Sequence, residues 1–507
     1  MPRTPLTFTA LLTTIAVASG CGSDDGSASG GASLAPAGAI MYGEATLAPE
    51  GDQRAALDAL ARKFPGRGDA GQRVRSLMEK AFSESDSGLS YTEDVEPWLG
   101  DEAAFFLNRV GDDDAEGAFL VATEDEERAL AAVEKAEGDA REASYKDHDY
   151  LTYEDDTAAA TVDGWLVIGS VSGFKAAVDT AEGGEPLEDA ERYDQALADA
   201  PEQRLGFLYF DTRGLFEQLQ RAPGGAALGP FTRLFQEPYV TTIDAEEDVV
   251  KFEATVPESL VRALPVFGQG SDLAGELPGD SWLTIAQPDL GETLDSYIGL
   301  FAGAVGGRDM IEGQLEAATG LDLQRDVLGW MGDFGLFVRG TSVSELNGAL
   351  VVETSDEAAS GRLIDAIARL ARGQADGGER VLPLQLGGGG EGVTLRAPEL
   401  PQPVHLFQRD GRVVFAYGDA AAEDALAPAE RLADTAEFKD AERALGDVAV
   451  SFYLAVGPVL DLADSAGAAS DEGFQEARPY LEPLGALAGG ASEDGDKLRS
   501  AFGLTVP

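Results

Sequence analysis

Apolar residues along this chain fall into short strand-length runs, separated by segments in which they recur every three or four positions. Ile40 to Leu47 alternates and predicts a strand. Leu57, Leu60 and Phe64 recur at helical spacing until Pro65 stops them, and Val74, Leu77, Met78, Ala81 and Phe82 line one face of a second helix. Two strand-like runs follow, Ala103 to Val110 and Gly117 to Ala122, then a helix near Glu124 to Ala136. Further strands fall between Tyr150 and Ile168, at Leu205 to Phe210, at Val240 to Ile243 and at Val249 to Thr255, with helices near Gly173 to Thr180 and Leu215 to Leu219. Strands joined by hairpins and interrupted by helices predict an α+β fold, with a mainly antiparallel sheet and helices packed on one face.

The pattern then repeats. Gly88, Asp94 and Trp98 have partners in Gly320, Asp326 and Trp330, all at one constant offset. Thr123 with Glu126, and Thr354 with Glu357, read as capping boxes, and their offset is shorter by a single position. Asp163-Gly164 and Asp410-Gly411 each sit between two strand-like runs, a hairpin signal. Phe252 to Pro257 matches Phe502 to Pro507. The chain therefore reads as a tandem duplication, with module A over 34–260, a linker over 261–277 and module B over 278–507.

The segment 1–33 belongs to neither copy. Arg3 precedes an apolar stretch, Leu6 to Val17, that is short for a membrane span. Ala18-Ser19-Gly20 then leads into Cys21, the only cysteine. This resembles the lipobox of bacterial lipoproteins, with Ala18 where Leu is usual. The resemblance implies a signal peptide over 1–20, lipidation of the Cys21 sulfur and a mature chain beginning there, followed by a flexible tether over 21–33. The expected location is the extracytoplasmic face of a cell membrane, with acyl chains on Cys21 as the contact with lipid. With Cys21 acylated, no disulfide can form.

Charge narrows the partners. Asp and Glu number 91 against 37 Lys and Arg, a net of −54. Such a surface repels nucleic acid and favours cationic ligands or basic protein faces.

Little candidate chemistry survives. Trp98 and Trp330 read as core plugs, since Leu99 and Met331 beside them are apolar. Asp112-Asp113-Asp114 with Glu116, and Asp147, Asp149, Glu154, Asp155 and Asp156, are acidic stretches without a calcium-loop pattern, so they read as solvated turns. His148 and His405 are the only histidines, too few for a typical zinc site, and both read as exposed. Gly169-Ser170-Val171-Ser172-Gly173 has Val171 where a nucleophile elbow needs serine. Gly387 to Gly390 lacks the Lys that completes a phosphate loop, and reads as a hairpin turn. No catalytic residue, metal ligand or cofactor is expected, and the sequence carries no sign of the oligomeric state.

Leu34-Ala35-Pro36-Ala37-Gly38-Ala39, the segment Leu47-Ala48-Pro49-Glu50-Gly51-Asp52-Gln53 and the Asp94 to Asp101 block with Trp98-Leu99-Gly100 resemble an uncharacterised actinobacterial lipoprotein family, domain of unknown function 3352. The resemblance implies a cell-envelope protein and supplies no reaction. The expectation is a non-enzymatic lipoprotein that binds a ligand or partner, with the junction of the copies a place for a pocket. A structural or assembly factor of the envelope, or a hydrolase with a dispersed site, are the alternatives.

Overall fold

The computed structural model describes residues 30–507 apart from 67–69, 86, 111–114, 199, 202–203, 222–235, 258–267, 303–306, 375–377, 388–389 and 495–496. The chain divides into two compact units between Thr255 and Val256.

In the first unit the strands are β1 (Met41–Thr46), β2 (Leu99–Arg109), β3 (Glu116–Thr123), β4 (Arg141–Tyr145), β5 (His148–Thr152), β6 (Thr157–Val162), β7 (Trp165–Ser170), β8 (Gly206–Phe210), β9 (Tyr239–Glu246) and β10 (Val249–Pro257). Their order across the sheet is β4-β5-β6-β7-β3-β2-β1-β8-β9-β10, and every pairing is antiparallel. In the second unit they are β11 (Leu283–Gln287), β12 (Met331–Arg339), β13 (Asn347–Thr354), β14 (Arg380–Pro383), β15 (Glu391–Arg396), β16 (Val404–Arg409), β17 (Arg412–Tyr417), β18 (Phe452–Ala455), β19 (Ala486–Asp494) and β20 (Lys497–Thr505). The order is β14-β15-β16-β17-β13-β12-β11-β18-β19-β20, again antiparallel throughout. The two units thus share one ten-strand topology.

Local chemistry sets the turns. Asp163 and Gly164 both have positive φ, as do Asp410 and Gly411, which is the backbone a two-residue turn between right-twisted strands requires. Val162 faces Trp165 across the first of these turns and Arg409 faces Arg412 across the second.

Helices cover both faces of each sheet, not one. In the first unit, Phe174, Ala177 and Val178 of the helix Val171–Ala181 pack with Leu120, Val167 and Tyr42. On the other face, Phe82 of Ala70–Glu84 and Ala129, Ala132 and Val133 of Glu126–Glu137 pack with Val121, Leu166 and Ile168. Neighbouring residues on a strand point to opposite faces, so Val167 and Ile168 feed different cores. The second unit divides the same way: Val351 and Val414 face the helix Asp419–Asp424, while Val352 and Val413 face Glu357–Gln374.

Two segment boundaries differ from expectation. The last residues of the expected tether are packed: Gly31 and Ala32 are buried in a short 3-10 turn, Gly31–Ser33. The end of the expected linker is packed likewise, with Leu273, Ala274 and Leu277 buried around the helix Leu273–Glu276. These segments correspond: Leu187 N–H donates to Ala35 O at 2.8 Å, and Leu432 N–H donates to Leu277 O at 2.7 Å. The helix caps also differ. Asp125 and Asp356 take the cap position, accepting from Arg128 N–H and Ala359 N–H. Thr123 and Thr354 sit two residues earlier and accept the N–H of those aspartates.

Candidate functional site

The predicted plugs are buried in matching ways. Trp98 Nε1–H donates to Asp94 O at 2.6 Å and Trp330 Nε1–H to Asp326 O at 3.1 Å. The carboxylate of Asp94 accepts from Ser90 N–H and Lys135, and that of Asp326 from Asp322 N–H, Arg325 and Arg362. Hydrogen bonds from Arg325 and Arg362 hold Asp326 well below the usual carboxylate range. Both indoles are almost fully buried, so these are architectural positions.

His405 is not exposed. It is fully buried, with Nε2–H donating to Asp419 Oδ1 at 2.9 Å and Nδ1 3.1 Å from Thr394 Oγ1. Thr394 Oγ1 also accepts Gln385 N–H, and burial favours the neutral ring, in which Nδ1 accepts the Thr394 hydroxyl. Burial lowers its pKa, against the pull of Asp419. The order hydroxyl–imidazole–carboxylate looks catalytic, but Thr394 is also fully buried and no substrate can reach it. His148 is half-buried, 3.2 Å from Glu182 Oε1.

The acidic residues that are described do not gather at one point. Asp112, Asp113 and Asp114 lie outside the described residues, as do Gly388 and Gly389 and the whole Cys21 segment. Glu116 pairs with Arg109 at 3.0 Å across the hairpin arms. Among the described residues no group of three or more His, Cys, Asp or Glu converges to hold a metal ion. In the Gly169–Gly173 segment, Ser170 Oγ accepts Gly173 N–H at 3.0 Å and caps the helix that follows.

Among the described residues, one candidate cleft lies wholly within the second unit, and no reading of the sequence points to it. A groove of about 490 Å³ opens between the segment Ser271–Glu276 and the helix Ala436–Leu445. Its floor is apolar, made by Ala274, Phe438 and Val450. Its rim carries four exposed carboxylates, Asp272, Glu276, Asp434 and Glu442, and one guanidinium, Arg431. Glu276 is engaged by Arg412 at 2.6 Å. Ser271, at the edge, donates to Asp333 Oδ2 at 2.6 Å and accepts Leu273 N–H. These bonds tie the turn at Ser271–Leu273 to β12, and both histidines lie elsewhere. Residues spread over positions 271 to 450 share no linear motif, so the groove leaves no signature in the sequence.

The first unit uses the same place differently. By strand register Glu44 corresponds to Ala286 and Tyr42 to Thr284. Tyr42 O–H donates to Glu44 Oε2 at 2.8 Å, and Gly31 N–H donates to Glu102 Oε1 at 3.0 Å. A Cβ on Gly30 would lie 3.6 Å from Glu102 Oε1 and 3.9 Å from Glu44 Oε2, so both carboxyls flank it. Burial, then the charge of Glu44, push Glu102 up to about 7. Burial also raises Glu44, opposed by the Tyr42 hydroxyl and the charge of Arg204.

No helix among the described residues is long and apolar enough to cross a membrane. No curated protein and no solved structure matches the chain. The model of a family described as Protein of unknown function (DUF3352) matches residues 7–488, and the chain belongs to that family.

Proposed function

We propose that this chain is a lipid-anchored extracytoplasmic binding protein, without enzymatic activity, whose second unit takes up a cationic group. The anchor is read from Ala18-Ser19-Gly20-Cys21 after an apolar stretch of signal length. The observation that carries the binding reading is the groove with an apolar floor and an acidic rim. An alkylammonium or guanidinium fits both parts: its stem lies along the apolar floor by Ala274 and Val450, and its charge lies among the rim carboxylates. With Glu276 paired to Arg412, the three carboxylates of Asp272, Asp434 and Glu442 stand against Arg431 and leave the rim negative, in keeping with a chain of net charge −54. The cation can be a small organic molecule or the side chain of a basic protein.

The test is calorimetric titration of the mature chain with an alkyldiamine and with arginine amide. Saturable binding at roughly millimolar affinity or tighter, weakened by salt and by the double variant Asp434→Asn, Glu442→Gln, is the expected result. Heats that do not saturate, or affinity the double variant leaves unchanged, overturn the reading. Membrane attachment is tested separately: Cys21→Ser should move the protein from the membrane fraction to the soluble one.

A further inference from the structure

The first unit carries one feature that the shared fold does not need. Trp98 and Trp330 keep the constant offset of the repeat, but Thr123 and Thr354 stand one position closer than that offset, so the first unit has one extra residue between its Trp and its Thr. Strand register locates it. On β2 four steps, Leu99 to Ala103, lie opposite two on β3, whereas on β12 three steps, Met331 to Phe334, lie opposite two on β13. Gly100-Asp101 matches Gly332-Asp333, which leaves Glu102 as the residue without a counterpart. A bulge with an added residue re-aims a side chain. Here it sends a carboxyl to the Gly31 N–H, beside Glu44, where the second unit has Ala286.

We propose that Glu44 and Glu102 form one proton-binding site that latches the segment leading out to Cys21 onto the first unit. The segment is the right object for a latch. Leu34 and Ala35 are buried, and Ala37 N–H donates to Glu185 O at 2.9 Å, so residues 30–37 form a docked strip. Only eight residues separate Gly30 from Cys21, a reach of at most roughly 30 Å. The proposal rests on the anchoring reading only for its membrane setting; the latch itself is a property of the first unit.

The proton balance follows from the neighbours. Glu44 accepts the Tyr42 hydroxyl and feels Arg204, so it carries the negative charge; Glu102 keeps the proton while its carbonyl oxygen accepts Gly31 N–H. The other groups that face the pair are Asp101 on β2 and Tyr193 on the helix Glu191–Leu197, and Glu188 in the turn before that helix acts on Tyr193. When the proton leaves, two carboxylates flank Gly30 in a half-buried site and repel. The sign is that of a raised carboxyl: the docked form holds a proton that the open form releases, so docking is tightest in acid and loosens as pH rises through about 7.

The test is amide hydrogen exchange of residues 30–37 in the full mature chain, corrected for intrinsic rates, with infrared difference spectra of the carboxyl region. A site near 7 when docked and near the ordinary glutamate value when open predicts protection roughly tenfold higher at about pH 6 than at about pH 8. A protonated-carboxyl band should vanish over the same range. Glu102→Gln keeps an oxygen for Gly31 N–H but cannot ionise, so it should hold protection flat and abolish the band. Protection that does not change with pH in the wild type, or a pH dependence that survives in Glu102→Gln, overturns the proposal. Neither readout depends on the groove of the second unit.

Discussion

Trp330 donates its indole N–H to the main-chain carbonyl of Asp326, while the Asp326 carboxylate is gripped by Arg325 at 2.6 Å and Arg362 at 2.7 Å. One residue therefore supplies its backbone to the core and its side chain to the helix Glu357–Gln374 that covers it. Trp98 and Asp94 repeat the arrangement with Lys135. Trp330→Ala and Trp98→Ala should each cost about 3–5 kcal/mol, the range for deleting a buried aromatic. Urea unfolding with exchange mass spectrometry would show each loss confined to its own unit. A loss under about 1 kcal/mol would mean that the indoles are not core plugs.

The Asp326 carboxylate adds an acid limb. Its pKa is depressed in the fold by Arg325 and Arg362, so its contribution is complete above the ordinary aspartate value and is lost as pH falls below it. Asp326→Asn should lower the stability of the second unit at neutral pH and flatten its decline in acid. Thermal unfolding followed from neutral pH down to about pH 3 reads both. An unchanged acid limb in the variant would remove Asp326 from this role.

His405 should titrate in the opposite sense from the Glu44–Glu102 pair. Burial lowers its pKa below the ordinary histidine value, so the folded state binds fewer protons than the unfolded one and stability falls as pH drops below about 6.5. His405→Gln should flatten the stability slope between about pH 6.5 and 5, whatever its effect on absolute stability. Thr394→Val removes the donor to Nδ1 and should cost about 1–3 kcal/mol, the range for a buried acceptor left alone. Imidazole resonances showing a protonated His405 at neutral pH would contradict both statements.

Much of the fold could be read from the chain, and the misreadings have physical causes. The repeat was legible because turns, plugs and caps recur at nearly constant spacing. The one-residue change in that spacing marks the stretch that holds Glu102, yet a bulge has no composition signature of its own. Both-face burial was written in Trp165-Leu166-Val167-Ile168, an apolar run without alternation, which is what a strand covered on two sides looks like. Gly31 and Ala32 looked like tether because small residues serve loops and tight packing alike: a Cβ on Gly31 would lie 2.7 Å from the Ala104 Cβ. His405 looked exposed because its partners, Thr394 and Asp419, lie 11 and 14 residues away and meet it only through the sheet. The groove draws on segments too far apart in sequence for any local pattern to announce it.

Two glycines should respond oppositely to alanine. A Cβ on Gly173 would lie 2.0 Å from the Gly117 carbonyl oxygen, backbone against backbone, so the helix Val171–Ala181 could keep its place on β3 only by moving away. Gly173→Ala should cost about 3 kcal/mol or more. Gly313, exposed within the helix Arg308–Thr319, has open space around it. Gly313→Ala should stabilise by about 0.5–1 kcal/mol through reduced freedom of the unfolded chain. Denaturant midpoints of the two variants, one falling and one rising, are the expected pair; a neutral Gly173→Ala would mean that the helix is less closely seated.

The packed strip before each sheet makes a prediction about where the second unit begins. Leu273 and Leu277 are almost fully buried, and each contributes on the order of 1.5–3 kcal/mol by burial. Leu277 O also receives Leu432 N–H, and Pro278 bridges to Arg431, so the strip ties the entry of the unit to the turn before the helix Ala436–Leu445. A fragment starting at residue 278 lacks both leucines and should unfold without cooperativity, while one starting at 268 keeps the strip and should unfold in a single transition. Leu277→Ala in the full chain should cost about 2–5 kcal/mol, which tests the same contact without truncation. If the shorter fragment unfolds as sharply as the longer one and Leu277→Ala is silent, the strip is an accessory to the second unit rather than part of its core.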